Sequence, residues 1–245
     1  MDSIKQFGQY SVLLYQALRS IPEFSTYRKN LFSEFVKVGY ESIPIIILTG
    51  FFTGAVLTLQ TAYQLDTDLY PTSIVGSIVG QSIVIELAAV IGGLVLAGKV
   101  GARISTELGT MRVSEQIDAL ESMGFNSVTF LVVPRVLAGI CMFPVLYVVA
   151  ATTGILGGIL AGSLDGILPA AEFMQGARQF FYPEDVIFGT VKSFVFGFVI
   201  TSISCYKGYF AFGGAEGVGT ATTQATVLGC IFVLLSDFVL AAILL

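Results

Sequence analysis

The stretch "SIPIIILTGFFTGAVLTLQTAYQL", residues 42 to 65, decides the fold class of this chain. Its 24 residues carry no charge, and acidic residues bound it on both sides, Glu41 before and Asp66 after. As an α-helix it would be ~36 Å long, which exceeds the hydrocarbon thickness of a bilayer, about 30 Å. The sequence therefore predicts a transmembrane helix over residues 43 to 64.

The composition of the whole chain is also typical of a membrane protein. Its 245 residues are 55% hydrophobic and 12% charged, against about 25% charged in soluble domains. The net charge of −5 and the absence of histidine argue against a basic nucleic-acid surface and a histidine metal cluster. Cys141, Cys205 and Cys230 lie in separate apolar runs without metal or redox spacing, so we expect them to be buried small hydrophobic residues.

Four further segments are long and apolar enough to cross a bilayer. Residues 69 to 98 contain only Glu86, and residues 136 to 164, which could extend back to Ser127, contain no charge. Residues 186 to 206 contain only Lys192, and residues 220 to 245 only Asp237. The predicted fold is therefore an all-α integral membrane protein with five transmembrane helices.

Basic residues predict which side of the membrane each connection faces, because cytoplasmic loops are enriched in lysine and arginine. Basic residues concentrate in segments 1–41, 99–135 and 207–219, and acidic residues in 65–73 and 165–185. An alternating arrangement of five spans satisfies every connection. The N-terminus is therefore predicted in the cytoplasm and the C-terminus on the outer side.

The single predicted domain, 1–245, begins with a distinct N-terminal region, residues 1–40, and continues as the bundle, residues 41–245. From Ile4 to Leu18 apolar and polar residues alternate with a helical period, which predicts a helix lying in the cytoplasmic interface. A plain cytosolic helix is the alternative. No removable signal peptide is expected, because no short apolar core precedes a small-residue cleavage site.

Small residues recur at four-residue spacing in three of the spans. This pattern lets helix backbones approach closely, within the bundle or at a dimer interface. The positions are Gly50 and Gly54; Gly76 and Gly80; and Gly154, Gly158 and Gly162.

Residues 93 to 99, "GLVLAGK", match most of a P-loop but do not predict an ATPase. Val100 stands where a magnesium-binding Ser or Thr would be needed, and the residues between the glycines are apolar and lie in a span. Lys99 is interpreted as a residue that flanks the membrane. We therefore predict no catalytic residue, cofactor or metal site in this chain.

The most polar stretch, residues 107 to 125, follows the second span. Ser114 is a suitable N-cap and Gly124 a suitable end for a helix of about nine residues, with Val113, Ile117 and Leu120 on one face. Two interpretations remain open. The helix rests on the membrane or its own bundle, or it fits a groove on a soluble partner and transmits motion to the spans.

Several motifs resemble one family. "LAGKVGARISTELGTMRVSEQIDALESMGF" (96–125), followed by "LVVPRVLA" (131–138), resembles the signature of MlaE-type permeases, the membrane subunits of ATP-binding-cassette lipid transporters that work with MCE-domain proteins. "CYKGYFAFGGAEGVGTATTQATV" (205–227) and "SDFVLAAIL" (236–244) are similar to the same family's C-terminal signature. The resemblance covers about residues 40 to 245, with the motifs in the family's order.

The resemblance implies a homodimer in the bacterial inner membrane, with a coupling helix at 107–125 docked on a cytoplasmic ATPase that binds ATP and magnesium. It also implies phospholipid or another hydrophobic lipid as substrate and an MCE-domain protein on the outer side. It leaves open whether a STAS-domain subunit joins. The residues expected to couple to the ATPase are Glu107, Arg112, Glu115, Gln116, Asp118 and Glu121.

The chain departs from the family pattern in two places. Many relatives have Arg-Glu-Leu-Gly-Pro in the second span, whereas this chain has "IELAA" at residues 85–89, which keeps the acid Glu86 and loses the base. Thr220 stands where a basic residue often precedes "ATT". A head-group role carried by the missing base is therefore not expected here.

The intramembrane charges Glu86, Lys192 and Asp237 must face the interior or a wet cavity, because an unpaired charge in a span is costly. Either Lys192 pairs with Glu86 or Asp237 and locks the bundle, or some of the three line the lipid pathway. The resemblance also makes several residues candidates for the lipid pathway, with ordinary packing or lipid contact as the alternative. These are Leu57, Leu59, Tyr63, Val84, Glu86 and Leu87.

Two other functions remain as alternatives. An ion-coupled secondary transporter would use the intramembrane carboxylates, would need no ATPase and would have a pH-sensitive rate; five spans without a detected inverted repeat argue against it. A membrane scaffold that anchors an MCE assembly without transport is the second alternative. Such a scaffold would keep its function when the coupling helix is disrupted.

Overall fold

The computed structural model describes residues 2–22, 24–65, 71–164, 166 and 168–244. These residues form helices joined by short turns, and no strand occurs among them. The acidic residues Asp66, Asp68 and Asp165, used above to predict the outer side, lie outside the described residues.

The N-terminal region contains two helices. The helical pattern from Ile4 to Leu18 is confirmed as α1 (Asp2–Arg19), and α2 (Phe24–Val38) follows it. One face of α1 is buried, with Leu13 at 2% exposure, while Phe7 remains 72% exposed. An exposed apolar face is what a helix in the membrane interface requires, although its place in the interface stays a prediction.

Side-chain hydrogen bonds hold both N-terminal helices. The hydroxyl groups of Tyr10 in α1 and Ser202 lie 2.9 Å apart, and Asn30 in α2 donates to the carbonyl of Phe130 at 3.3 Å. Burial raises the pKa of the Tyr10 hydroxyl, so this group stays protonated at neutral pH. The second helix was not predicted, because α2 mixes charged and apolar residues without a strong period.

The remaining helices follow in chain order. A 3₁₀ turn at Tyr40–Ser42 leads into α3, and two short helices, α7 and α9, lie in the connections. The elements are α3 (Ile43–Gln64), α4 (Ser73–Ser82), a π-helical turn (Ile83–Leu87), α5 (Ala88–Leu96), a second π turn (Ala97–Gly101), α6 (Ala102–Val113), α7 (Gln116–Ser122), a third π turn (Val128–Val132), α8 (Val133–Leu164), α9 (Ala170–Gln179), α10 (Pro183–Tyr209) and α11 (Gly214–Leu244).

Five helical segments of the described residues are long and apolar enough to cross a membrane, which confirms the predicted number. The first runs from Tyr27 to Gln64, and its part after the 3₁₀ turn, α3, has the predicted bounds. The second is one run from Ser73 to Val113 and continues 15 residues beyond Gly98, where the prediction ended it. At 41 residues it is ~60 Å long, about twice the hydrocarbon thickness, so its polar end stands outside the bilayer.

The chain divides into two compact units. The first comprises Met1–Glu41, Leu96–Phe143 and Phe194–Ser236, and the second comprises Ser42–Val95, Pro144–Ser193 and Asp237–Leu245. Each unit has its own set of fully buried apolar side chains. They include Ile104, Leu108, Ile117, Phe196 and Ile200 in the first unit, and Ile46, Ile83, Leu146, Leu168 and Phe173 in the second.

The cysteines differ from expectation at two positions. Cys205 is buried, but Cys230 is only half-buried and Cys141 is exposed. A transmembrane helix presents apolar side chains to lipid as well as to its neighbours, so an apolar run does not reveal which of its faces is buried.

Glycines let helices of the second unit touch backbone to backbone, as the small-residue spacing predicted. A Cβ atom on Gly54 of α3 would collide with the carbonyl oxygen of Gly154 of α8. A Cβ on Gly50 would lie 2.6 Å from the carbonyl oxygen of Ala150, and one on Gly76 of α4 would collide with the backbone of Phe173 in α9. These positions are therefore packing contacts within one chain.

We expect Gly54→Ala to destabilise the protein by roughly 1–3 kcal/mol, because the added methyl group meets an immobile backbone atom. The loss can be measured as a lower midpoint of heat-induced aggregation in detergent. Gly98→Ala is the matched control, since nothing lies within 4 Å of a Cβ there. Equal midpoints for the two variants would contradict the close contact between α3 and α8.

Candidate transport and coupling sites

The three intramembrane charges lie together in the second unit. Lys192 Nζ on α10 is 2.5 Å from Glu86 Oε2, in the first π turn, and 2.7 Å from Asp237 Oδ1 on α11. Lys192 therefore pairs with both acids, which is the contact that the structural one of the two interpretations requires. We call these three residues the charge triad.

The charge triad is buried to different degrees. The Lys192 side chain has no exposure, whereas the side chains of Glu86 and Asp237 keep 38% and 16%. The Phe188 ring also covers the ammonium, with its centroid 4.5 Å from Nζ. Two carboxylates against one ammonium leave one formal negative charge when all are ionised. A proton, a cation or a cationic head group could balance this charge at the exposed side of Glu86.

A π-helical turn sets the position of Glu86. The Ala88 N–H donates to the Ile83 carbonyl rather than to Val84, and the Tyr147 hydroxyl donates to the released Val84 carbonyl at 2.8 Å. Gly189 leaves room for this bond, because a Cβ there would collide with the Tyr147 hydroxyl. π turns shift the register of the residues they contain. The turn therefore supplies a local distortion of the second span at Glu86.

A second group of charges lies in the first unit and joins three helices. Glu34 of α2 lies 3.0 Å from Arg103 of α6 and 3.7 Å from Arg135 of α8. Glu107 lies 3.1 Å from Arg135 and 3.6 Å from Lys37. Glu34 and Arg135 are buried, with exposures of 4% and 6%. We call these five residues the ion cluster; it gives the charges that α6 carries beyond the apolar part of its span partners on two other helices.

The predicted coupling segment is not one helix, because it is interrupted at Ser114 and Glu115. The Ser114 hydroxyl donates back to the carbonyl of Thr110 at 2.7 Å, so Ser114 ends α6 and does not cap the next helix. Glu115 has a φ of 59°, in the left-handed region, and precedes α7. A left-handed non-glycine residue is uncommon and costs about 1–2 kcal/mol, so the surrounding contacts must hold it in place.

The helix that follows Glu115, α7, has seven residues, Gln116–Ser122, where about nine were predicted. Gly124, with a φ of 82°, ends it as predicted, and the Phe125 N–H donates to the Leu120 carbonyl at 3.1 Å. Ile117 is fully buried, but Val113 belongs to α6 and is 39% exposed. The predicted apolar face is therefore wrong at Val113, because the break at Ser114 and Glu115 interrupts the helical period.

We call residues 112–125 the corner. Its surface contains both apolar and polar side chains. Met123 is 64% exposed and Phe125 51% exposed, next to the exposed Glu115 and Gln116. Exposed apolar residues that protrude beside charges are typical of a surface used for binding.

The six residues predicted to couple have different surroundings. Glu115 and Gln116 are exposed, and Asp118 is exposed but pairs with Arg112 at 2.6 Å. Glu107 is half-buried and belongs to the ion cluster. Glu121 lies within hydrogen-bond distance of two hydroxyl groups, which are described below.

Sequence comparison agrees with the motifs. The sequence profile of the family described as "Permease MlaE" matches residues 31–243, which is most of the chain. The chain belongs to the MlaE permease family. The resemblance drawn from the motifs between residues 40 and 245 is thereby confirmed.

Three relatives of this MlaE-family chain illustrate the range of the similarity. A "Probable ABC transporter permease protein" of Rickettsia bellii is 38% identical over 96% of this chain and 91% of its own length. The "Intermembrane phospholipid transport system permease protein MlaE" of Haemophilus influenzae is 31% identical over 100% of this chain and 94% of its own. The chloroplast protein TRIGALACTOSYLDIACYLGLYCEROL 1 of Arabidopsis thaliana is 33% identical over 87% of this chain and 61% of its own.

The structure separates the candidate lipid-pathway residues of this MlaE-family chain. Tyr63 is 84% and Leu59 37% exposed, Val84 is buried, and Leu57 and Leu87 are half-buried. Leu87 lines an apolar gap of about 10 Å³ between α3 and the second span. This gap has room for about one water molecule, so it cannot hold an acyl chain in the described state.

Sequence reasoning missed the roles of several side chains. Arg103 and Arg135 were used only to predict topology, and Glu34 was not considered. All three belong to the ion cluster. Ser127 and Tyr209 were not singled out either. Glu34 lies 69 positions from Arg103 and 101 from Arg135, and Tyr209 lies 82 positions from Ser127 and 88 from Glu121, so no local pattern could have revealed these contacts. Among the described residues, no group of His, Cys, Asp and Glu could hold a metal ion.

Proposed function

We propose that this chain is the permease subunit of an ATP-binding-cassette transporter that moves phospholipids or related hydrophobic lipids between membranes. The observation that carries the proposal is membership of the MlaE permease family over residues 31–243. Relatives over nearly the whole chain are named as ABC transporter permeases, and one as an intermembrane phospholipid transport permease.

The corner is the part of this chain that suits a cytoplasmic ATPase. A rigid protrusion can transmit a partner's movement only if its own backbone does not yield. The left-handed Glu115, the Arg112–Asp118 ion pair and the glycine-ended α7 provide that rigidity. Its exposed apolar residues Met123 and Phe125 supply a surface for docking. ATP and magnesium belong to that separate subunit.

The proposed assembly contains two copies of the chain in the bacterial inner membrane, with the N-terminus in the cytoplasm and the C-terminus outside. An MCE-domain protein binds on the outer side and exchanges lipid with the permease, and a STAS-domain subunit is a further candidate partner. The exposed apolar faces of α3 and α11 support a second copy or lipid as neighbour. Phe52 and Val56 on α3, and Phe238 and Ile243 on α11, are all at least 58% exposed.

The charge triad has both a structural and a pathway role in this proposal. Lys192 and Asp237 hold the bundle, since they are the more buried members. Glu86 keeps an exposed side and is the member that a polar head group can reach. The lipid's acyl chains then pass along apolar surface such as Leu59 and Tyr63, whose side chains are exposed and available to contact lipid or another chain.

One observation favours a second candidate function. The charge triad has one carboxylate more than its ammonium can balance, which suits a proton- or sodium-coupled transporter. Such a protein would move its substrate without an ATPase and with a rate that depends on pH. The experiment that tests the first proposal therefore also tests this one.

We expect a tagged copy, purified in mild detergent from its native host, to carry a P-loop ATPase, an MCE-domain protein and phospholipid. Mass spectrometry of co-purifying proteins and of extracted lipid measures all three. Another membrane complex that survives the same detergent is the control. Recovery of the chain alone, while the control complex stays intact, would contradict the proposal and favour the ion-coupled alternative.

A further inference from the structure

Three polar side chains meet at the end of the corner. The Ser127 hydroxyl lies 2.6 Å and the Tyr209 hydroxyl 3.1 Å from Glu121 Oε1, and the two hydroxyl groups are 2.7 Å apart. Each hydroxyl has one hydrogen, so Tyr209 is joined to the carboxylate either directly or through the Ser127 hydroxyl. A hydrogen bond to the charged oxygen is stronger than one between neutral groups. We call Glu121, Ser127 and Tyr209 the hydroxyl latch.

The three residues of the hydroxyl latch belong to different parts of the first unit. Glu121 is in the last turn of α7, Ser127 precedes the third span, and Tyr209 is the last residue of α10. Ser127 is buried at 2% exposure. Next to it, the Asn126 side chain accepts from the N–H groups of Val128 and Thr129, which fixes the start of the third span. The latch therefore ties α7 to two span ends at once.

Open space lies beside the hydroxyl latch. A groove of about 560 Å³ is lined by Glu121, Ser127 and Tyr209 together with Arg19 and Gln16 of α1. The latch is therefore not packed on all sides, and the exposed Glu121 has open space beside it into which it can leave the latch. Arg19 on the same groove offers a second partner for the released carboxylate.

We propose that the hydroxyl latch transmits movement of the corner to α10, with Glu121, Ser127 and Tyr209 acting as positioning residues. This inference rests on the proposed function, in which an ATPase moves the corner. Displacement of α7 pulls on Tyr209 and Ser127 through the shared carboxylate, and α10 also carries Lys192 of the charge triad. Breaking the latch separates ATP hydrolysis from lipid movement, while the ATPase still binds to the exposed side of the corner.

Tyr209→Phe tests the proposal most cleanly, because it removes one hydroxyl and keeps the ring that contacts Phe210. In the full complex, reconstituted with its ATPase in phospholipid vesicles, we expect lipid moved per ATP hydrolysed to fall roughly tenfold, as for loss of a hydrogen bond to a charged group. Ser127→Ala should act in the same direction. The bound ATPase and its hydrolysis rate should stay within about twofold of wild type.

Matched controls remove the same groups from exposed positions on α1. Tyr15→Phe and Ser11→Ala delete a hydroxyl where Tyr15 is 65% exposed and Ser11 bonds only within its own helix. Both should transport like wild type. The double variant Tyr209→Phe with Ser127→Ala should lose little more than either single variant, because the residues act as one unit.

The outcomes separate this inference from the proposed function. Wild-type complex without ATP-dependent lipid transfer means that the proposed function fails. Wild-type transfer with an unchanged lipid-to-ATP ratio in Tyr209→Phe means that only the latch fails. Loss of ATPase binding in Tyr209→Phe also overturns the latch, because the residue would then belong to the docking surface rather than to transmission.

Discussion

Lys192→Met should lower the yield of assembled protein roughly tenfold, because it removes the shared cation of the charge triad. Glu86 and Asp237 would then remain near each other in the membrane without a counter-charge. Breaking a buried ion pair by removing one partner costs about 3–5 kcal/mol, and methionine fills the lysine's space without clash. The measurement is the amount of tagged protein that elutes as one homogeneous species in detergent.

Two further variants show why the yield of assembled protein falls. Lys192→Met combined with Glu86→Gln and Asp237→Asn leaves the charge triad without any charge, so its yield should recover. Lys207→Met is the matched control on the same helix, since Lys207 contacts Gln224 at 3.1 Å and is only half-buried. Normal yield of Lys192→Met together with lost lipid transfer would instead place Lys192 on the lipid pathway and contradict its structural role.

The spans were predictable because each depends on a local property, a long run without charge. Residues 43–64 appear as α3 with the predicted bounds, and the small-residue spacing of Gly50 and Gly54 led to real backbone contacts. The intramembrane charges were also predictable as a group. A charge in a span needs a partner, and the described spans offer few.

The polar end of the second span was not predictable in the same way. Residues 99 to 113 contain Lys99, Arg103 and Glu107 and read as a cytoplasmic connection, yet they continue the helix. Glu34 and Arg135 from other helices pair with these charges in the ion cluster. A sequence gives the charges but not the pairing that makes them compatible with a packed helix.

The corner was predictable as a polar element but not in its shape. Serine is favoured at helix N-caps, and Ser114 precedes an amphipathic pattern. The N-cap preference therefore predicted a helix start at Ser114. In the structure Ser114 bonds backwards to α6, and Glu115 adopts a backbone conformation that sequence rules assign to glycine. The tertiary contacts of the corner override the local preference, as happens where geometry is tied to function.

Ala119→Arg combined with Met123→Arg should abolish association with the ATPase, with at least roughly a hundredfold weaker binding. Both positions are exposed on the corner, Met123 at 64%, and neither side chain makes a polar bond that the permease needs. Two bulky cations on a docking surface introduce clash and unpaired charge at its centre. Co-purification of the ATPase with the tagged variant measures the effect.

The matched control places the same change on another short helix. Ala171→Arg with Gln175→Arg alters two exposed residues of α9, which is predicted on the outer side, and should leave ATPase binding intact. The yield of both double variants should equal that of wild type, since exposed substitutions change stability little. If the corner variant still binds its ATPase and moves lipid, the corner is not the coupling element. The scaffold alternative and a different docking surface would then become the hypotheses to test.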